Sequence, residues 1–296
     1  MKKRIVSSLL LSLVLVAAFA LSAYARQTPP DKVGLLAQEY FAEFPSDSNV
    51  IKVDKLFSLM KEGEDMFFLD IRRPEDYKKS HLKGAVNLSF FDMSIPEGLE
   101  KLPDDKPIMV YCYTGQTGSQ VTVLLNIAGK TAKNVQFGFT TGIAKTEGNE
   151  ALLEQTDTGL PQAASAVDSD VKTAISAYFV EKNSKDGTPF ANFNVAPKTI
   201  KAIVDEQNDD YLILSVRRAD DFAKGHVPSA VNVPFGQGME KELIKLPRDR
   251  KIVVYCYTGQ TSSQTMAVLR LMGYEAYSMA GGMTAWTKDN FAVEAK

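Results

Sequence analysis

The sequence predicts an α/β protein built from two tandem domains, each a parallel sheet flanked by helices. Three observations predict it. The chain repeats itself at a spacing of 144–145 residues, helix-type and strand-type patterns alternate inside each copy, and 296 residues suffice for two separate cores. Hydrophobic residues make up 45% and charged residues 24%, a globular composition that excludes a largely disordered chain.

The repeat is closest at Tyr111–Gln120 and Tyr255–Gln264, where nine of ten residues are identical. Upstream, Leu69-Asp70-Ile71-Arg72-Arg73 answers to Leu214-Ser215-Val216-Arg217-Arg218, and His81–Asn87 answers to His226–Asn232, both offset by 145. Glu39-Tyr40-Phe41 and Ala177-Tyr178-Phe179 sit in helical-looking stretches ahead of each copy. Such a period is too long for a solenoid and reads as domain duplication.

In chain order, apolar residues at helical spacing predict helices over Val53–Met60 and Pro197–Val204. The short apolar runs Met66–Leu69 and Tyr211–Leu214, then Pro107–Tyr111 and Lys251–Tyr255, suit buried strands. Helices are expected over Gln120–Ala128 and Gln264–Met272, stopped by Gly129 and Gly273. Small and polar residues from about Asn149 to Asp170 read as a linker. The expected division is a signal peptide over 1–25, a helical segment over 26–47, a first domain over 48–148, a linker and helix over 149–191, and a second domain over 192–296.

Lys2, Lys3 and Arg4 precede the apolar run Ile5–Leu21, and Ala23-Tyr24-Ala25 supplies small residues where a signal peptidase reads. The expectation is cleavage after Ala25 and a periplasmic or secreted protein; an uncleaved membrane anchor is the competing reading. Cleavage leaves 31 basic and 36 acidic residues, a formal charge of −5. No Lys/Arg stripe stands out, so nucleic acid is not expected as a partner.

The only two cysteines, Cys112 and Cys256, occupy matching places at the carboxyl end of a strand and just before a helix. That edge of an open α/β sheet is where ligands bind. A strand-to-helix turn aims successive backbone N–H groups at its own centre. With the helix dipole, these donors favour a nucleophilic thiolate. Gly115 and Gly259 suit a backbone shape that a side chain would obstruct, and Thr117 and Thr261 can place a hydroxyl on the loop interior or at the helix start as a cap. A cysteine ending a strand is often a mere buried hydrophobe. The matched placement of both favours chemistry, and a disulfide between two such cradled sulfurs is not expected.

The series Asp70–Tyr77, His81–Asn87 and Cys112–Thr117 resembles the rhodanese-like family. The second unit resembles it through Val216-Arg217, Gly225–Pro228, Ala230–Pro234, Cys256–Thr261 and Gly281–Trp286, so the resemblance covers about residues 48–148 and 192–296. It implies a parallel sheet flanked by helices and a persulfide carried on the loop cysteine. Cys112 and Cys256 are then the catalytic sulfur carriers. Tyr113, Thr114, Gly115, Gln116, Thr117 and Gly118, with Tyr257, Thr258, Gly259, Gln260, Thr261 and Ser262, form the two substrate-binding cradles. Thiosulfate, polysulfide or a protein persulfide is the expected donor partner, and neither a metal nor another cofactor is called for.

The second unit carries Ser215 where the family has the aspartate kept as Asp70, and Phe137–Ile143 is a poor copy of the closing Gly-Gly…Trp motif. The second site is therefore expected to be the stronger. The loops contain no Lys or Arg, which disfavours a dianionic donor. His81 and His226 are expected to bond backbone rather than act as bases. Arg72 with Asp76, and Arg217 with Asp221, look like ion pairs at a helix start. A cysteine phosphatase or arsenate reductase needs an arginine in the loop, and Thr117, Gly118, Thr261 and Ser262 stand there instead. A non-catalytic scaffold built on the duplicated fold is the remaining alternative.

Overall fold

A computed structural model describes residues 31–162 and 165–295. The basic start, the apolar run and the Ala23-Tyr24-Ala25 site lie outside the described residues. Among the described residues, no helix is long and apolar enough to cross a membrane.

The first unit is entered through helix α1 (Lys32–Glu39), capped by the Asp31 carboxylate on the Gly34 N–H at 2.8 Å. Strand β1 (Val50–Ile51) leads into α2 (Val53–Glu62), which stops where Gly63 turns left-handed. Then follow β2 (Phe67–Asp70), β3 (His81–Leu82), β4 (Val86–Asn87) and β5 (Ile108–Tyr111). Helix α3 (Gln116–Ile127) and β6 (Ala132–Val135) complete the sheet, whose order β1-β6-β5-β2-β4 is parallel throughout.

Helix α4 (Ser169–Ser184) opens the second unit, its N-terminal amides capped by Asp168. Strand β7 (Leu153–Glu154) precedes this helix, which is followed by β8 (Asn194–Val195), α5 (Pro197–Asp205), β9 (Tyr211–Ser215), β10 (Val231–Asn232) and β11 (Lys251–Tyr255). Helix α6 (Gln260–Leu271), β12 (Ala276–Met279) and α7 (Gly282–Lys288) finish it. The sheet β10-β9-β11-β12-β8 is again parallel, so the predicted α/β class with two parallel sheets holds.

Alternation along β5 explains where the cysteine sits. Ile108, Val110 and Cys112 belong to a core that also contains Val121 and Leu124 of α3, whereas Met109 and Tyr111 face a smaller core with Leu56 and Phe57 of α2. The larger core is continuous across both units: α3 packs on α6, and Phe41, Ile175 and Phe179 join it.

Three local expectations change. Both post-cysteine helices begin four residues earlier than their apolar pattern suggests, at Gln116 and Gln260. The left-handed Gly115 (φ +91°) and Gly259 (φ +92°) serve as their N-caps, so Thr117 and Thr261 lie inside the first turn and are not caps. The stretch read as linker begins with structure, because β7 pairs antiparallel with β3 and the Glu154 carboxylate accepts from the Gly84 N–H. Finally, Arg72 pairs with the buried Asp70 at 2.6 Å rather than with Asp76, whose carboxylate binds Lys79. Arg217 donates to the Asp221 and Gly225 carbonyls instead of to a carboxylate, since Ser215 replaces the aspartate.

Candidate active site

Each cysteine leaves the end of a central strand and is followed by three residues before the helix starts. Both sulfurs are free thiols and 2% exposed. Gly115 N–H donates to Cys112 Sγ at 3.0 Å, and Gly259 N–H donates to Cys256 Sγ at 3.1 Å. These are the amides at the positive end of α3 and α6, where anionic sulfur is favoured.

The loops are held from behind by the turn after the last sheet strand. Phe139 and Thr140 N–H donate to the Cys112 and Tyr113 carbonyls, and Met283 and Thr284 N–H donate to the Cys256 and Tyr257 carbonyls. Gly138 (φ +60°) and Gly282 (φ +56°) make this approach possible: a Cβ on either would stand 2.5 or 2.6 Å from the cysteine carbonyl oxygen. The first-unit segment, poor as it is in sequence, therefore closes its loop by the same backbone contacts. Phe137 takes the left-handed conformation that Gly281 takes in the second unit.

The tyrosines are tied down at their tips. Tyr113 Oη donates to Asp76 at 2.6 Å and accepts from Arg73 N–H, and Tyr257 Oη does the same with Asp221 and Arg218. Tyr257, with Lys224 and Arg218, holds the Asp221 carboxyl well below the usual carboxylate range, and Lys79 and Tyr113 lower Asp76. Both histidine rings bond backbone: His81 Nδ1 meets the Tyr77 carbonyl at 2.7 Å and stacks on Tyr77, while His226 Nδ1 meets the Phe222 carbonyl at 2.9 Å.

The two glutamines do not line their own cradle alone, as the sequence reading had it; they reach across to the other unit. Gln116 Oε1 accepts from Gly281 N–H at 2.9 Å and its Nε2 donates to the Met279 carbonyl. Reciprocally, Gln260 Oε1 accepts from Phe137 N–H and Asn134 Nδ2, both at 3.1 Å. One turn on, Gln120 donates to the Asn192 carbonyl and Gln264 to the Ser48 carbonyl. The two units are thus interlocked at their loops by exchanged contacts.

The single difference in the ten-residue block falls on a group that reaches the sulfur. Ser262 Oγ donates to Cys256 Sγ at 3.4 Å and shares a hydrogen bond with Ser278 Oγ at 2.9 Å. The first unit has Gly118 and Asn134 instead, and Asn134 Oδ1 occupies the place of a Gly118 Cβ, which would lie 2.3 Å from it. Cys112 Sγ consequently accepts only the Gly115 amide among the described hydrogen bonds.

A cavity of about 280 Å³ opens at Cys256. The second unit lines it with Tyr257, Thr258, Gln260 and Thr261, and the first with Asp47, Ser48, Val50, Lys52 and Gln136. A larger cavity of about 630 Å³, walled by Lys32, Tyr178, Glu181 and Arg270, involves no residue of either cysteine loop. Asp47, Lys52 and Gln136 could not be found from the motif, because they lie in the other copy of the repeat.

The sequence model of the rhodanese-like domain matches residues 53–144 and again 196–289. The chain belongs to the rhodanese-like family. Curated relatives include a sulfurtransferase of Allochromatium vinosum, 30% identical over 88 residues, which are 29% of this chain and 81% of that one. The thiosulfate sulfurtransferase GlpE of Pseudoalteromonas translucida is 34% identical over 84 residues, covering 26% and 74%. The match spans 53% of the longer rhodanese-like domain-containing protein 15 of Arabidopsis thaliana, at 31% identity over 28% of this chain. Among solved structures, a thiosulfate sulfurtransferase from Pseudomonas aeruginosa aligns over 88% of this chain and 70% of its own, at 11% identity and a TM-score of 0.32. This tandem rhodanese-like protein thus has relatives named for sulfur transfer, each matched over part of the chain.

Proposed function

We propose that the protein is an exported sulfurtransferase whose principal sulfur carrier is Cys256. The observation that carries this reading is the convergence of the Gly259 amide and the Ser262 hydroxyl on the sulfur of Cys256, a residue that lines a cavity. Both donors stabilise an anionic sulfur, first as thiolate and then as persulfide. The thiolate attacks the sulfane sulfur of the donor, an S–S bond forms, and the donor's own bond breaks with its electron pair leaving on the remainder. With thiosulfate the remainder is sulfite. A nucleophilic acceptor then takes the outer sulfur, and Cys256 departs as thiolate. Polysulfide and protein persulfides fit the same two steps.

The first domain serves chiefly as the wall of this cavity. The Gly118–Asn134 arrangement, which gives Cys112 no hydroxyl donor, supports that division. Incubation with thiosulfate or polysulfide is expected to add about 32 Da, one sulfur atom, to the Cys112→Ser variant, and cyanide or a thiol to remove it. Absence of the adduct from this variant, with every donor, would overturn the reading.

Export rests on the basic start, the apolar run and Ala23-Tyr24-Ala25. N-terminal sequencing of the protein recovered from the exported fraction is expected to begin at Arg26, and a chain retaining residues 1–25 there would refute it.

A further inference from the structure

The cavity at Cys256 draws one cation from the opposite domain. Lys52 is the residue preceding α2, makes no capping hydrogen bond with its side chain, and is exposed. It joins none of the ion pairs among the described residues, whereas Asp47 in the same cavity is neutralised by Lys133. The cavity's unbalanced charge is therefore positive, although the loop itself carries none.

The repeat shows that this cation is not a requirement of the fold. Ala196 precedes α5 as Lys52 precedes α2. Ala280 N–H donates to the Val195 carbonyl as Gln136 N–H donates to the Ile51 carbonyl. By the correspondence of the two units, Ala196 and Ala280 hold the repeat positions of Lys52 and Gln136, which line the Cys256 cavity. The repeat position of the Lys52 cation thus holds an uncharged residue in the other unit, and the cavity that Lys52 lines belongs to the sulfur that Ser262 reaches. A positive charge beside a cleft raises the local concentration of anions and lowers the cost of bringing a second negative charge to a thiolate.

We propose that Lys52 is a specificity determinant of the Cys256 site, selecting anionic sulfane-sulfur donors over uncharged reagents. This rests on Cys256 being the reactive carrier, but charge selection is measurable without any sulfur transfer. In the Cys112→Ser background, Cys256 is alkylated with iodoacetate and with uncharged iodoacetamide, and separately loaded from thiosulfate. At low ionic strength, Lys52→Ala is expected to slow iodoacetate and thiosulfate about five-fold each, and Lys52→Glu more, with iodoacetamide unchanged. Lys61→Ala, at the far end of α2, is expected to change none of the three. Added salt is expected to erase the difference.

Equal slowing of both alkylating reagents would overturn the proposal, because the lysine would then act on the thiol or the loop rather than on the incoming charge. So would no change in either. If iodoacetate responds while thiosulfate never loads the unsubstituted site, Lys52 still selects charge and it is the sulfurtransferase reading that falls.

Discussion

Replacing Cys256 with serine is expected to lower sulfur transfer at least about 100-fold, while Cys112→Ser keeps most of it. The asymmetry follows from what meets each sulfur. Cys256 Sγ accepts from the Gly259 amide and the Ser262 hydroxyl and opens on a cavity with Lys52 in its wall. Cys112 Sγ has the Gly115 amide, and the space that the second unit gives to Ser262 is taken by the Asn134 amide. A serine hydroxyl is a far weaker nucleophile at neutral pH and holds no sulfane sulfur, so the loss at the acting site is near complete. Steady-state turnover of the two single variants, with cyanide as acceptor, checks this. Equal losses would mean that both sites act, and a larger loss at Cys112 would reverse the assignment.

Gly282→Ala is expected to cost about 3 kcal/mol or more and to loosen the Cys256 loop. The added methyl would meet the Cys256 carbonyl oxygen at 2.6 Å and the Thr258 nitrogen at 2.8 Å, both backbone atoms with no room to yield. It would also have to hold φ near +56°. Gly63→Ala separates the two effects, because that glycine is left-handed at φ +77° but has nothing within 4 Å of its Cβ. Only the conformational penalty, about 1 kcal/mol, is expected there. Urea midpoints measure the stabilities, and turnover is expected to fall with Gly282→Ala and not with Gly63→Ala. Matching midpoints would show that close packing behind the loop contributes little.

Much of this architecture is written in the chain at short range. Tyr211–Leu214 and Lys251–Tyr255 are apolar runs with few alternatives, and Gly129 and Gly273 turn left-handed just past the helical patterns they end, so strands and helix ends could be placed. The cysteines could be placed at strand ends for the same reason. What could not be read depends on distant partners. Gln116 and Gln260 sit in the motif, yet their side chains serve the opposite unit, and nothing local distinguishes a glutamine facing its own loop from one facing away. Glycine as N-cap offers no side-chain signal, which hid the first turn of α3 and α6. Asp76 is the nearer apparent partner of Arg72 by helical spacing, but Asp70 is buried beside it, where an unpaired carboxylate would be costly. Ser262 was visible as the lone mismatch in the repeated block, and only the structure gives that mismatch a target.

The exchanged glutamines bear on how such a protein can be taken apart. Each half finishes the other: without Gln116 the Gly281 amide behind the Cys256 loop loses its acceptor, and without Gln260 the Phe137 amide loses its own. The faces of α3 and α6 that now bury one another would meet water in a lone half. Duplication here has produced two halves that share one interlocked core, and a chain cut at its middle is expected to yield halves that are each incomplete.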